Sequence, residues 1–252
     1  MSSLKLVVAE YFDGIIWRME IDSKNHTLFA EIRNVENRRV SFAAISLESG
    51  KVFFKNYTTD ENWLTGIEAA YDGVMLLHFY QNASAPTHKG LAAIEAETST
   101  MLWHNFNLAF DFLTVNGPLF FDSRIQPPKK SLGNIKTGDL IRGYESALDA
   151  ELVNEVHIPR QNVLPENFPS LPVEPYSNNV HYLEYGNLII VSLHALWMGQ
   201  LRQYLFIAKD TELIFEDILN TDIQKLQPEA FVLYRNQLIY LKEKSEIKVL
   251  NL

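Results

Sequence analysis

The feature that most constrains the fold is a block of four apolar segments at residues 66–103, which recurs along the chain. In this block GIEAAY leads through Asp72 and Gly73, a strong hairpin signal, into the nearly continuous apolar run VMLLHFY. Residues 81–90 are polar and rich in turn formers, which predicts a loop. LAAIEAE and TMLWHNF then form a second hairpin. The block therefore predicts four consecutive antiparallel strands.

Four further stretches of the chain repeat this four-strand plan. They begin with the segments IIWRMEI, FDFLTV, HYLEYG and AFVLYR. The early blocks recur about every 40–47 residues, a period typical of propeller blades. The last block ends one strand short, and the N-terminal segment KLVVAEYF can supply the missing strand.

Pairing the first and last strands in one sheet removes two open sheet edges, which favours closure of the repeat into a ring. The sequence therefore predicts an all-β fold. In detail, we expect a five-bladed β-propeller of four-stranded blades, with the ring closed by the N-terminal strand joining the C-terminal blade.

One segment interrupts the repeat between blades three and four. Residues 146–178 begin with a short predicted helix and continue through five prolines, which indicates an extended loop. We interpret residues 1–252 as a single β-propeller domain that carries this Pro-rich insertion loop. A long loop in a compact domain is either a functional lid or surface decoration, and both interpretations stay open. We expect its removal to cost little stability.

Composition narrows the classes of partner and the compartment. The net charge of −9 and the pI near 5.3 argue against a nucleic-acid or anionic-membrane partner, because phosphate binding needs a field of Lys and Arg. The absence of cysteine excludes disulfides and thiolate chemistry. The sequence shows neither a signal peptide nor an apolar run long enough to span a membrane. We expect a cytoplasmic monomer.

Three turns carry a resemblance to known repeats. SLESGKVFF, EAETSTMLW and NIKTGDLI resemble the strand–turn–strand repeat of quinoprotein-like (PQQ-like or WD40-like) β-propellers, in which a Trp follows the turn. The whole chain also resembles an uncharacterised bacterial family of this kind, a domain of unknown function. Phe53 and Phe215 stand where Trp103 does, a departure from the quinoprotein pattern. The resemblance implies a fold and no activity, and no cofactor is expected.

Polar side chains gather at one end of the predicted blades. When the hairpin glycines Gly73, Gly117 and Gly186 are aligned, the second strands of blades two to four switch from apolar runs to ionisable residues. In a propeller these strand ends open on the face that carries the channel mouth. The candidate ligand-binding residues are Arg18, Trp63, Glu68, His78, Tyr80, His88, Lys89, Asp111, Asp122, Arg124, His181 and His194. The alternative is that these groups only satisfy one another inside the fold.

Two functions fit this predicted mouth. The first is a non-catalytic binding or scaffold propeller that takes a protein segment or a small polar ligand there. The alternative is a glycoside hydrolase or lyase that uses two carboxylates drawn from Glu68, Asp111 and Asp122. Whether the protein is an enzyme stays open, with no enzyme favoured, and the catalytic residues are unknown. An Arg bound to Asp122 would favour binding over catalysis.

Metal binding and exposed aromatic side chains are weaker candidates. The histidines come from different segments and lack HxH or HExxH spacing, so no metal site is predicted. The tryptophans Trp17, Trp63 and Trp103 are predicted to pack within blades. Of these, Trp63 in the loop TTDENW is the best candidate for an exposed aromatic ring, followed by Trp197.

Overall fold

The structure is a computed structural model that describes residues 4–177, 179–228 and 231–252, without the side chains of residues 85 and 86. Asn178, which ends the predicted insertion, and Ala230, which opens the predicted segment AFVLYR, lie outside the described residues. All regular elements are β-strands, so the prediction of an all-β fold is confirmed. Across the described ranges, no helix has the length and hydropathy needed to cross a membrane.

The chain divides into two compact units, which are described separately. The terminal unit comprises Met1–Tyr11 and Glu155–Leu252, and the central unit comprises Phe12–Asn154. Strand β1 (Lys5–Tyr11) belongs to the terminal unit. The strands of the central unit are β2 (Ile15–Asp22), β3 (Thr27–Asn34), β4 (Arg39–Ser46), β5 (Val52–Tyr57), β6 (Thr65–Tyr71), β7 (Val74–Asn82), β8 (Ala85–Glu95), β9 (Met101–Asn105), β10 (Leu108–Thr114), β11 (Gly117–Asp122), β12 (Ser131–Gly133) and β13 (Leu140–Gly143). The strands that follow are β14 (Val156–His157), β15 (Arg160–Val163), β16 (Asn179–Tyr185), β17 (Leu188–Trp197), β18 (Gln200–Lys209), β19 (Glu212–Ile223), β20 (Phe231–Tyr234), β21 (Gln237–Lys242) and β22 (Glu246–Asn251).

The central unit contains three four-stranded antiparallel sheets in which strand order follows chain order. They are β2-β3-β4-β5, β6-β7-β8-β9 and β10-β11-β12-β13, called sheets one, two and three below. Sheets one and two pack through a buried apolar core that includes Phe29, Phe42, Met75 and Ile94. A second core, which includes Phe120, joins sheets two and three. These meanders match the predicted four-strand blocks.

A β-bulge recurs at the same place in the first strand of each of these three sheets. The pairing register shifts between Ile16 and Arg18 in β2, between Ile67 and Ala69 in β6, and between Phe110 and Leu113 in β10. The extra residues include Trp17, Glu68 and Asp111. A bulge bends its strand and re-aims the inserted side chain, so the bulges set where these three side chains point.

The terminal unit contains two five-stranded antiparallel sheets, called sheets four and five below. Their strand orders are β15-β16-β17-β18-β19 and β1-β22-β21-β20-β14. In sheet five β1 pairs with β22 from Lys5 opposite Asn251 to Tyr11 opposite Glu246. The N-terminal and C-terminal strands are therefore neighbours in one sheet, as the sequence predicts.

The segment at 146–178 differs from the predicted loop. It contains a turn where the helix was predicted, and it contributes β14 to an edge of sheet five and β15 to an edge of sheet four. Its Phe168 is buried in a core with Val180, Val191 and Leu193 of sheet four. A strand as apolar as β17 needs cover on both faces, and this segment supplies cover on one. Shortening it would remove part of that core, contrary to the expectation from loop length alone.

Candidate functional site

The candidate site lies where β7 and β8 extend past the predicted turn. The sequence predicts a loop at 81–90, but β7 continues to Asn82 and β8 begins at Ala85, so this prediction is wrong. Tyr80 pairs with His88 across this ladder, and Asn82 pairs with Ala85. Backbone pairing satisfies amide groups whatever the side chains are, which is why a polar sequence can continue a strand here. His88 is therefore a strand residue opposite Tyr80.

A second bulge adjusts the register between β7 and β8. His78 pairs with Leu91 and Tyr80 with His88, so two residues, Lys89 and Gly90, stand opposite one. Gly90 has a φ of +79°, which L side chains rarely adopt. The bulge shifts His88 along its strand so that its ring lies against the ring of His78.

Three titratable side chains from adjacent strands converge here. The His78 Nδ1 and His88 Nδ1 atoms lie 3.0 Å and 2.7 Å from the same oxygen, Glu68 Oε2. The two imidazole rings are stacked with centroids 3.7 Å apart and planes inclined by 3°. The ligand-type atoms of all three residues lie within 4.8 Å of one another. We call Glu68, His78 and His88 the triad.

His78 is the buried member of the triad, and its ring is poorly hydrogen-bonded. His78 is 2% exposed, and within the described chain neither of its ring nitrogens has a hydrogen-bond partner. Glu68 Oε2 also lacks one, because the two short approaches of the histidine nitrogens do not have hydrogen-bond angles. A buried polar atom without a partner costs about 1–3 kcal/mol. The triad therefore carries unused capacity to bind a polar group or an ion.

The triad residues perturb one another's ionisation. Burial opposes ionisation of Glu68, but its contact with His78 and the field of His88 outweigh this effect, so the pKa of Glu68 lies below its ordinary value. Burial lowers the pKa of His88, and the neighbouring His78 lowers it further.

Neighbouring residues hold the triad in place. Tyr80 lies edge-on to His78 and His88, with ring centroids 4.8 Å and 5.3 Å away. Arg18 donates from its guanidinium to the backbone carbonyl of Glu68 at 3.1 Å. Gly66 leaves room for the imidazole, because a Cβ built there would lie 3.1 Å from His78 Nε2. Sequence reasoning missed the contribution of Gly66 to this site, and the signal was the glycine that opens a predicted strand.

A cleft lined with aromatic side chains adjoins the triad through Tyr80. It has a volume of about 340 Å³ and is lined by Trp17, Arg33, Trp63, Leu64, Tyr80, Asn82, Ala83 and Ser84. The Arg33 guanidinium lies between two indoles, 5.6 Å from the Trp17 ring and 5.1 Å from the Trp63 ring. Its Nε also donates to Glu31 at 2.7 Å, so this Arg is held rigidly.

The exposures of Trp17 and Trp63 are the reverse of those that the sequence predicts. Trp63, predicted to be the exposed aromatic, is half-buried and packs against the core between sheets one and two. Trp17, predicted to pack within a blade, is 67% exposed. The bulge in β2 is the reason, because Trp17 is the inserted residue there.

The remaining predicted residues of the central unit lie outside the triad. Arg124 binds Asp122 through both carboxylate oxygens, at 2.9 Å and 2.6 Å. This side-chain contact lowers the pKa of Asp122 to about 2. Lys130 lies 2.7 Å from Asp111 Oδ2 without hydrogen-bond angles. Lys89 is exposed and lines a separate cavity of about 450 Å³ beside Tyr80.

The two predicted histidines from blade four belong to the terminal unit. His181 is half-buried on β16, opposite Ser192 of β17. His194 is buried, and its Nε2 accepts a hydrogen bond from the Gln227 backbone N–H at 3.0 Å. A cavity of about 750 Å³ also lies in this unit, and none of the predicted site residues lines it. Of those residues, the structure brings together Arg18, Glu68, His78, Tyr80 and His88.

Protonation of His194 is expected to destabilise the fold. Burial, and then the charge of His181, lower its pKa to about 4, against an ordinary value of about 6.5. The unfolded chain therefore binds a proton between these two pH values that the folded chain does not, so the free energy of unfolding falls as pH falls. Between pH 7 and pH 5 we expect His194 to contribute a loss of about 1–2 kcal/mol.

Urea unfolding of the wild type and of His194→Gln at the two pH values measures this contribution. The pH-dependent loss should be smaller by that amount in the variant, because Gln keeps an acceptor for the Gln227 N–H and does not titrate. His157→Gln, an exposed histidine of the same unit, is the control and should behave like the wild type. An equal loss in all three proteins would contradict the prediction.

A family model matches part of the sequence. Residues 21–103 match a family described as "Domain of unknown function (DUF4905)". The match covers most of sheets one and two and all three residues of the triad. The predicted resemblance to a family of unknown function is confirmed over these residues. No curated protein matches the chain.

Two solved structures illustrate the similarities that a structural comparison finds for this chain. BamB from Moraxella catarrhalis shares 7% identity, with 98% of this chain and 83% of that chain covered and a TM-score of 0.36. The Dos1 propeller shares 9% identity, with 98% and 54% covered and a TM-score of 0.24. At TM-scores this low, neither similarity assigns a function.

Proposed function

We propose that the protein is a non-catalytic binding protein that takes a small polar ligand in the aromatic cleft beside the triad. The observation that carries the proposal is the combination of Trp17, Trp63 and Tyr80 with the polar groups of Asn82 and Ser84 around one cavity. Ligand sites are typically concave and lined by aromatic side chains with a few polar groups that fix orientation. The 340 Å³ volume suits a small molecule better than a protein segment.

The engagement of the carboxylates supports binding over catalysis. A glycosidase needs one carboxylic acid and one carboxylate free to face the scissile bond. Each of the three carboxylates considered for the glycosidase alternative already faces a basic group of the central unit. Glu68 faces the two histidines, Asp111 faces Lys130, and Asp122 is held by Arg124. Such contacts position side chains and leave no free acid–base pair among these three.

The proposal includes the architecture that the sequence predicts. Five consecutive antiparallel sheets, with the first strand of the chain paired to the last, support a five-bladed propeller whose ring the N-terminal strand closes. The acidic net charge supports a monomer without nucleic-acid or membrane partners, and we place it in the cytoplasm.

A ligand screen with matched variants tests the binding proposal. A panel of sugars, nucleosides and amino acids is screened by thermal shift on the full chain, and compounds that raise the melting temperature are titrated. Trp17→Ala removes the exposed ring of the cleft. Loss of one stacking partner is expected to weaken binding about 10-fold, which corresponds to about 1.4 kcal/mol.

Trp197→Ala is the matched control. Trp197 is also exposed, at 46%, and Arg202 lies 5.5 Å from its ring, but it belongs to the terminal unit. This variant should bind as tightly as the wild type. A panel without any binder, or a binder that tolerates Trp17→Ala, would count against the proposal.

A further inference from the structure

We propose that Glu68, His78 and His88 form a binding site for one divalent transition-metal ion of the zinc class. Two imidazole nitrogens and one carboxylate oxygen form a donor set that zinc and its first-row neighbours bind in proteins. The three donors come from β6, β7 and β8, which are consecutive strands of sheet two. This inference goes beyond the proposed ligand cleft and stands without any organic ligand.

The main support for the site is that buried polar atoms of the triad lack hydrogen-bond partners in the described chain. His78 is buried, yet neither of its ring nitrogens has a hydrogen-bond partner in the described chain, and Glu68 Oε2 is in the same condition. Buried polar groups in native proteins nearly always have partners. A cation between the donors would satisfy His78 Nδ1 and Glu68 Oε2 together.

The spacing of the donor atoms is close to what such an ion requires. Metal–ligand distances of about 2.0–2.2 Å in a tetrahedral site place donor atoms about 3.4 Å apart. Both histidine Nδ1 atoms approach Glu68 Oε2 more closely, at 3.0 Å and 2.7 Å. The two imidazole rings are stacked with planes inclined by only 3°, and an ion lies close to the plane of each ring that binds it. Admitting the ion therefore requires one ring to rotate out of the stack and the Glu68 carboxylate to move back by less than about 1 Å.

The chemistry of the donors selects the class of ion. Calcium and magnesium prefer shells made of oxygen atoms, whereas imidazole favours zinc, copper, nickel and iron. Three protein donors leave a fourth tetrahedral position open for water. Arg18, held at the Glu68 carbonyl and paired with Glu20 at 2.8 Å, fixes the backbone behind the carboxylate. Supporting contacts of this kind orient metal ligands.

Zinc titration of the chelator-treated full chain tests the site. Calorimetry, or competition with a chromophoric chelator, should show one equivalent of Zn²⁺ per chain. His88→Ala should weaken binding at least about 100-fold, since even supporting residues contribute 10- to 100-fold. The His88 side chain is 37% exposed, so its truncation leaves the core of the fold intact.

Two further measurements make the result specific. His104→Ala removes an exposed histidine on the neighbouring strand β9 and should bind zinc like the wild type. Cobalt substitution should give visible absorption bands of a site with nitrogen ligands in the wild type and lose them in His88→Ala. The proposal is overturned if the wild type binds less than one equivalent, or if His88→Ala binds zinc as tightly as His104→Ala.

Discussion

Removal of residues 1–11 is expected to make the purified chain aggregate. These residues contain β1, which pairs with β22 along its length and buries Val8. Without β1, the backbone amides and carbonyls of β22 that face it lose their partners, and an open apolar strand edge is a template for pairing with another chain. Burial of one Val side chain alone contributes about 1.5–3 kcal/mol, a large part of a stability of about 5–15 kcal/mol.

Size-exclusion chromatography with light scattering measures the outcome. The chain that lacks residues 1–11 should elute mainly as large species, and its melting transition should broaden or disappear. A chain that lacks only residues 1–3 keeps β1 whole and is the control. A stable, folded monomer without residues 1–11 would show that sheet five does not need its N-terminal strand.

The sequence could predict the four-strand plan of each sheet because the signals involved are local. The prediction of four strands in every blade is wrong for the terminal unit, where β14 and β15 add a fifth strand to each sheet. An Asp-Gly hairpin signal between two apolar runs defines β6 and β7, and the same plan defines the other sheets. The pairing of β1 with β22 could also be predicted, since an orphan strand and an incomplete sheet each leave unpaired backbone groups. These predictions need only the two-residue period with which strand side chains alternate between faces and the residue preferences of turns.

The site was harder to predict because bulges break that period. His78 and Tyr80 are predicted from polar residues that end an apolar strand, and Glu68 from the start of the strand before it. The structure brings the three together. The stacking of His88 on His78 depends on the extra residue opposite Phe79, which no alternation pattern reveals. A bulge also turns Trp17 outward. Each inserted residue reverses the face assignment of the residues beyond it.

Histidine spacing in the sequence could not predict that His78 and His88 meet, for a related reason. Motifs such as HxH place both ligands on one strand, whereas His78 and His88 lie on neighbouring strands and meet across the ladder. Their separation in sequence is set by hairpin length and by the bulge, not by ligand geometry. Only the register of the paired strands places their rings together, and register is a property of the folded sheet.

Gly90→Ala is expected to destabilise the protein strongly because Gly90 forms the bulge beside the triad. Its φ of +79° disfavours any Cβ, and a Cβ built there would lie 2.6 Å from the Cα atom of Phe106. Backbone strain costs about 1–3 kcal/mol, and forcing an atom into a packed region adds a similar amount. Since backbone cannot move aside as a flexible side chain can, we expect a total loss of about 2–4 kcal/mol.

Urea unfolding followed by circular dichroism measures this loss, and Gly199→Ala separates its two causes. Gly199 has a φ of +81° but no atom within 4 Å of a built Cβ, so its substitution costs only the free energy of backbone strain. The difference between the two variants is the cost of crowding Phe106. Equal losses in both would mean that strand β8 relaxes freely around residue 90. The bulge would then not be rigid enough to hold the His88 ring against that of His78.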